Sequence, residues 1–413
     1  MKVLHVTHQY RPAIGGSERY LTDISEELVR RGHEVDVVTS RSNGVTMWAN
    51  ELPRFEQLGG VNIHRFWSVP QGTLNWHLLR LGNQARRRGL GGLSDPLILA
   101  GTGPVTPGIV NFILKHGHTY DLIHIQTLPF AHVVYGYLSA RMTGRPIVIT
   151  PHAHVEHAFT FDLPAFNRAL RGASMVFIVT EREVPYLQAR GVNTDQIRLI
   201  GNGIPAETIQ PCGRRSSLDE YNLPEHPFIV LFLGRKEAHK GLDSLVTTVA
   251  ELAVQFPSIR LISAGPETAH SQELRASFGH LECWINVGPV SDDEKSDLLS
   301  ACDVLALPST GEAFGIVFLE AWSRGKPVIG ARSGGIPWVI EDDVDGLLVE
   351  PGNTLELSQA LQRLIQAPEL RHRLGLAGQR KTAERFTVTR VVDRVEAAYG
   401  ELVSSHDLSA VRK

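Results

Sequence analysis

Short apolar runs rich in β-branched residues alternate with helical stretches along the whole chain, and they come in two sets. The first comprises Val3 to Thr7, Val35 to Thr39, Leu122 to Ile125, Ile147 to Thr150, Met175 to Val179 and Ile197 to Ile200. The second comprises Phe228 to Leu233, Arg260 to Ser263, Trp284 to Val287, Val304 to Leu307, Pro327 to Ile329 and Leu347 to Val349. Near-continuous apolar strands separated by helices belong in parallel sheets covered on both faces. The pattern therefore predicts an α/β protein with two doubly wound, Rossmann-like domains. At 413 residues the chain is too long for one ordinary core. A turn-rich stretch from Asn202-Gly203-Ile204-Pro205 to Pro211-Cys212-Gly213 divides it near the middle, giving domains at 1–204 and 205–385. Val391, Val392, Val395, Ala398, Tyr399 and Leu402 mark a helical tail within 386–413.

Open α/β sheets bind ligands beyond the carboxyl ends of their strands, so two such domains facing each other predict a cleft lined by both sets of loops. The strongest chemical signal follows the strand Asp303 to Leu307. There Pro308-Ser309-Thr310-Gly311 breaks the run, and Phe314, Val317, Phe318 and Ala321 resume at helical spacing. The free amides at such a helix start, with the positive end of its dipole, suit a phosphate, and Gly315 lets the backbone come close. Glu312 lies in the loop beside them and Glu320 lies over a turn inside the helix, where its carboxylate calls for donors such as sugar hydroxyls. Taken singly, Glu312 as a helix cap and Glu320 as a solvated side chain would be the plainer reading.

Three other strand ends carry polar constellations. Gly15-Gly16-Ser17-Glu18 follows the first strand and opens a helix, which permits close backbone approach to an anion or sugar, or simply a tight turn. Gly234-Arg235-Lys236-Glu237-Ala238-His239-Lys240-Gly241 follows Phe228 to Leu233. Arg235 offers a bidentate grip on phosphate and Lys240 a point charge, which suits stabilisation of a departing diphosphate; exposed surface charge is the alternative. His152, His154 and His157 cluster after Ile147 to Thr150, but apart from Glu156 no nearby Cys or acidic residues complete a zinc site, so no metal is expected.

The spacing Glu312-x7-Glu320, with Phe314-Gly315 and Glu320-Ala321 around it, resembles the E-x7-E motif of retaining glycosyltransferases of family 4, which have the GT-B fold. The resemblance spans nearly the whole chain. It implies that Glu312 contacts the transferred sugar, the amides of Phe314, Gly315 and Ile316 hold the diphosphate, and Glu320 binds the ribose. It further assigns Arg235 and Lys240 to the diphosphate, His152 to the donor sugar near the reacting carbon, Gly15 and Gly16 to a loop closing over donor and acceptor, and Val290 to an apolar wall for the base. The final helix would cross back to the first domain. Two positions depart from the family pattern: Pro205 replaces the Asp of the Asn-Gly-Ile/Val-Asp hinge, and Trp338 replaces the Glu after Ser333-Gly334-Gly335-Ile336-Pro337. Trp338 fits either packing or an acceptor surface.

The implied function is transfer of a sugar from a nucleoside diphosphate sugar, with UDP or GDP as nucleotide, to a carbohydrate or lipid-linked acceptor. Retention would follow a same-face mechanism needing no metal or further cofactor. A nicotinamide oxidoreductase is opposed by the lack of Gly-x-Gly-x-x-Gly after either first strand and by Thr39-Ser40 at the end of the second strand, where an acidic ribose ligand belongs. A non-hydrolysing sugar-nucleotide epimerase shares the architecture, and a noncatalytic binding subunit is the remaining alternative. The net charge of −3 gives no reason to expect nucleic-acid binding. Cys212, Cys283 and Cys302 are few and lack metal spacing, and no apolar run approaches the roughly 20 residues that span a bilayer, so a soluble cytoplasmic protein is expected. Within the less regular segment 44–117, Trp48, Phe55, Trp67 and Trp76 accompany Arg80, Arg86, Arg87 and Arg88, a mixture that fits a peripheral contact with the inner membrane face, an acceptor loop or a solvated basic helix.

Overall fold

The computed structural model describes residues 1–13, 15–44, 47–153, 161–209, 221 and 223–411. Two compact units are present, Met1–Gly201 with Val388–Lys413, and Asn202–Thr387. Their edges lie slightly outside the expected 204/205 and 385/386 divisions, because the crossing segments bond to each other inside the second unit. Ile204 N donates to Phe386 O at 2.9 Å, and Ile204 bridges Thr387.

The first unit holds an eight-stranded sheet of β1 (Lys2–Val6), β2 (Glu34–Ser40), β3 (Phe55–Leu58), β4 (Val61–Phe66), β5 (Leu122–Gln126), β6 (Ile147–Thr150), β7 (Met175–Ile178) and β8 (Ile197–Leu199). Their order is β3-β4-β2-β1-β5-β6-β7-β8, parallel throughout except for the β3–β4 pair. Six of these strands overlap the predicted runs; the β3–β4 hairpin does not. The signal was present in β4, whose Val61, Ile63 and Arg65 are buried between half-buried neighbours, the period-2 pattern of a strand. Helices α1 (Gly16–Arg30), α2 (Thr73–Arg87), α3 (Gly91–Thr102), α4 (Pro107–His116), α5 (Ala131–Arg141), α6 (Pro164–Gly172) and α7 (Glu183–Gln188) complete the unit with the terminal helix Val388–Val411.

That terminal helix is fixed by a buried polar chain. Ser25 Oγ donates to Leu21 O at 2.7 Å, so it must accept from His5 Nδ1 at 2.8 Å. His5 Nε2 is then an acceptor for the Tyr399 hydroxyl at 3.3 Å. Tyr399 in turn accepts from His124 Nδ1 at 2.5 Å, and His124 Nε2 accepts from Thr150 Oγ1 at 2.7 Å. One tautomer of each imidazole satisfies every link. Burial holds both rings neutral, taking His5 down to about 3 and His124 well below its ordinary value. At the rim, Arg31 and His33 each bond Glu396 at 2.8 Å.

The second unit has a six-stranded, all-parallel sheet of β9 (Phe228–Leu233), β10 (Ile259–Ala264), β11 (Trp284–Val287), β12 (Val304–Leu307), β13 (Val328–Ala331) and β14 (Leu347–Val349), ordered β11-β10-β9-β12-β13-β14. Helices α8 (Leu242–Gln255), α9 (Ala269–Phe278), α10 (Asp292–Ala301), α11 (Ile316–Ser323), α12 (Ile336–Val339), α13 (Thr354–Gln366) and α14 (Pro368–Arg385) connect and cover it. The chain reverses direction across the sheet between β9 and β12. Such a switch point opens a crevice beyond the strand ends, and the Arg235–Lys240 and Glu312–Gly315 loops leave those two strands.

Candidate active site

In the second unit, three loops are stitched together around Glu312. Ser309 Oγ and Thr310 N both donate to His239 O, at 3.0 and 2.8 Å. Ser333 Oγ donates to Thr310 O at 2.6 Å, and Gly335 N donates to Glu312 O at 2.7 Å. Glycine is required at the crossings. Gly241 has φ +75° and a Cβ there would meet Pro308 O at 2.5 Å; Gly334 has φ +55° and its Cβ would meet Glu312 O at 2.3 Å.

Within this frame Lys240 Nζ pairs with Glu312 Oε2, both side chains being partly exposed. Glu312 is therefore not the cap of α11. Gly315 occupies the N-cap with φ 87° and ψ 61°, and among the described residues no side chain caps the helix; a Cβ on Gly315 would lie 3.5 Å from Glu312 Cγ, so the helix start is next to the Lys240–Glu312 pair. Phe314 itself is buried against Trp338 and Phe386, with ring centroids 6.0 and 5.6 Å away, so it contributes backbone, while its side chain anchors the turn. Trp338, left open between packing and an acceptor surface, packs here. Ile316 and Val290 are half-buried, and Val290 immediately precedes the Ser291–Glu294 capping box of α10.

Glu320 is held apart from Glu312. Its Oε1 pairs with Lys295 Nζ at 2.9 Å, and Lys295 also meets Asp292 at 3.2 Å. Burial alone would lower the Lys295 ammonium, but Glu320 and Asp292 outweigh it and hold it above its ordinary value. Arg235 is exposed and, among the described residues, reaches Glu237 at 3.5 Å. Its neighbour Lys236 has the opposite fate: fully buried, it pairs with Glu267 and donates to Asn286 Oδ1 at 2.7 Å and Val287 O at 2.6 Å. Lys236 thus ties β9, β10 and β11 together at their ends. Sequence reasoning missed Lys295 and the structural role of Lys236, since neither sits in a recognisable spacing.

In the first unit, Gly15 caps α1 and Gly16 begins it. A Cβ on Gly15 would lie 2.1 Å from Glu18 Oε2, because Glu18 folds back over the turn to His8 at 3.0 Å. Burial would raise the Glu18 carboxyl, yet the bond to His8 overcomes this and holds it below its ordinary value. His8 in turn stacks on Phe130 at 4.1 Å. His152, at the end of β6, adopts a left-handed φ of 48°, rare for a residue other than glycine. Its Nε2 lies 3.4 Å from Gln126 Oε1 and its ring meets Tyr20 edge-on at 5.0 Å. His154 and His157 lie outside the described residues. Among those described, no group of three or more His, Cys, Asp or Glu side chains is arranged to hold a metal ion.

The family model for "Glycosyl transferase 4-like domain" matches residues 15–203, and that for "Glycosyl transferases group 1" matches 214–381. The D-inositol 3-phosphate glycosyltransferase of Corynebacterium diphtheriae is 26% identical, covering 94% of this chain and 90% of its own. Its namesake from Saccharomonospora viridis is 27% identical, covering 95% and 90%. Among solved structures, Anabaena HepE in complex with UDP and glucose superposes with a TM-score of 0.74 at 22% identity, covering 97% of this chain and all of that one. Sucrose-phosphate synthase from Thermosynechococcus elongatus gives 0.75 at 22% identity, covering 98% and 100%.

Proposed function

The chain belongs to the family-4-like, GT-B glycosyltransferases, and from that premise we propose that it moves a sugar from a nucleoside diphosphate sugar to an acceptor hydroxyl with retention, without a metal ion. The observation that carries the donor assignment is the juxtaposition of Lys240, Glu312 and the uncapped start of α11 at the switch point of the second sheet. A diphosphate there would meet main-chain donors, the helix dipole and the Lys240 ammonium, with exposed Arg235 free to turn from Glu237 onto it. These groups act where negative charge grows as the anomeric C–O bond breaks, so they stabilise the leaving group in the place a divalent cation would otherwise fill. Glu320 would take ribose hydroxyls alongside Lys295, and Val290 would flank the base.

In the same-face reaction the acceptor oxygen bonds the anomeric carbon as the sugar–phosphate bond breaks, and the acceptor proton passes to the departing phosphate oxygen. Glu312 and His152 would contact the sugar, and Gly15 and Gly16 the donor diphosphate and acceptor. The curated relatives carry a phosphorylated cyclitol in their name, which supports a hydroxyl-rich acceptor, and the HepE structures hold UDP and glucose, which supports a UDP-sugar donor. The decisive experiment is a thermal-shift panel of nucleoside diphosphates and their sugars, followed by product analysis by NMR with and without a chelator. A matching nucleotide at about a hundred times its dissociation constant raises stability by about 2.7 kcal/mol. Failure of every nucleoside diphosphate to stabilise the protein rejects the donor site; an inverted anomeric product rejects retention; activity lost to chelation and restored by a divalent ion rejects metal independence.

A separate observation supports work at the inner face of a membrane. Residues 57–94 contain no carboxylate. On α2, Trp76, Leu74 and Leu81 are exposed beside Arg80, Arg87 and Arg88, which make no ion pair among the described residues. No single helix among those residues is long and apolar enough to cross a bilayer. Exposed apolar side chains mixed with unneutralised cations suit an anionic lipid surface. Co-sedimentation with vesicles containing phosphatidylserine should be lost when Arg80, Arg87 and Arg88 become Gln. Equal sedimentation of the variant, or none for the wild type, leaves the patch as solvated charge.

A further inference from the structure

Behind His152 lies a carboxylate that the reaction does not use. Glu183, the first residue of α7, is 2% exposed, and its partners are backbone amides. Oε1 accepts from Val179 N at 2.8 Å and from Thr180 N at 3.3 Å, the local turn after β7. Oε2 crosses to the neighbouring strand end and accepts from Ala153 N at 3.3 Å. A local turn would need only the first two bonds. The third reaches the peptide that directly follows His152, the residue whose left-handed backbone is disfavoured unless its surroundings hold it. Fixing the Ala153 N–H fixes ψ at His152, and with it the direction in which the imidazole leaves the chain. The ring is then steadied from the front by Gln126 and by the edge-on contact with Tyr20.

We infer that Glu183 is a positioning residue for the transfer reaction: its buried carboxylate pins the His152–Ala153 peptide so that the imidazole is presented to the donor sugar. This rests on the reading that His152 meets that sugar. Burying a carboxylate is costly unless hydrogen bonds compensate, so a role confined to shaping the turn would be met more cheaply by a short neutral side chain.

The test is a double-mutant cycle on the full chain. Glu183→Gln keeps the volume but turns one oxygen into a donor that cannot accept from an amide, so one of the two strand ends is released. Turnover should fall about tenfold or more while the KM for donor stays within about twofold, since small misplacements act on the reacting geometry. In a His152→Ala background the same change should have no further effect on turnover. Losses that multiply would show that Glu183 acts independently of His152 and would overturn the inference. Where E183Q does not fold, E183D, which keeps the charge but not the reach to Ala153, takes its place in the cycle. If His152→Ala alone leaves turnover intact while the enzyme remains active, the sugar-contact reading of His152 fails and the inference falls with it, whereas a multiplicative cycle removes the inference alone.

Discussion

Glu312 and Glu320 stand eight positions apart and neutralise different lysines, Lys240 on the loop after β9 and Lys295 on α10. This separation argues for separate duties, and nucleotide binding distinguishes them. Glu320→Gln should weaken nucleoside and nucleoside diphosphate alike by titration calorimetry, because ribose is common to both. Glu312→Gln should spare that affinity and lower turnover; equal binding losses from the two variants would contradict the division. Lys240→Ala leaves Glu312 without its cation and removes charge from the proposed leaving-group site, so turnover should fall on the order of 10²–10³-fold and diphosphate affinity more than nucleoside affinity. The two glutamates could be read because their spacing resembles the E-x7-E motif. Lys240 could be read beside Arg235, but Lys295 and the role of Lys236 could not: Lys236 and Arg235 are adjacent cations at a strand end, yet the carbonyl of Val287 and the side chains of Asn286 and Glu267 draw one inward while the other stays in water. Which of two neighbours turns inward depends on strands brought beside β9 by the fold.

At the scale of the element, α11 depends on its first turn being both uncapped and left-handed at Gly315. A Cβ at Gly315 would meet the buried Phe318 ring at 2.6 Å, in addition to the strain of φ +87°. Gly315→Ala should cost about 1–2 kcal/mol for the backbone alone, lowering the unfolding midpoint by roughly 2–8 °C, and should weaken diphosphate binding. Gly352→Ala is the matched control: φ is +74°, nothing lies within 4 Å of the added Cβ, and the site is untouched. It should reproduce the strain without the loss of affinity, and a control that also weakened binding would detach α11 from the phosphate. Apart from the β3–β4 hairpin, the strands of both sheets were legible because burial on two faces leaves a continuous apolar run. Edge strand β3 was not: Phe55-Glu56-Gln57-Leu58 has only one apolar residue at each end, and Phe55 is exposed. Its pairing with β4 becomes visible only when Gly59 and Gly60, both at positive φ, turn the chain back.

Across the whole molecule, side chains distant in sequence decide how stability responds to mutation and pH. Tyr399 was legible as one apolar position of a tail helix; its hydroxyl, bonded to His5 and His124 from nearly 400 and 300 residues away, was not. Tyr399→Phe leaves two buried imidazole nitrogens unmatched and should cost about 1–3 kcal/mol for each in denaturant unfolding; an unchanged midpoint would mean that the chain is not formed in solution. The same two histidines have depressed proton affinity, so the stability they contribute is complete above the unfolded value of 6.5 and is lost as pH falls below it, for His5 toward about 3. Glu183 has the opposite sign, for burial outweighs its three amide bonds and raises it to about 7. Its contribution is fully present below its ordinary 4.5 and is lost as pH rises through 7. Tyr20 and Tyr186 face it, and burial raises both hydroxyls, so they stay neutral throughout this window. The two effects oppose each other between 4.5 and 6.5, where the histidines hide the carboxyl in any single stability curve. The difference between wild type and Glu183→Gln removes the shared histidine contribution. That difference should shift in favour of the variant as pH rises from 4.5 to 7 and then become flat, and a difference constant across the range would mean that the carboxyl is not desolvated in the folded protein.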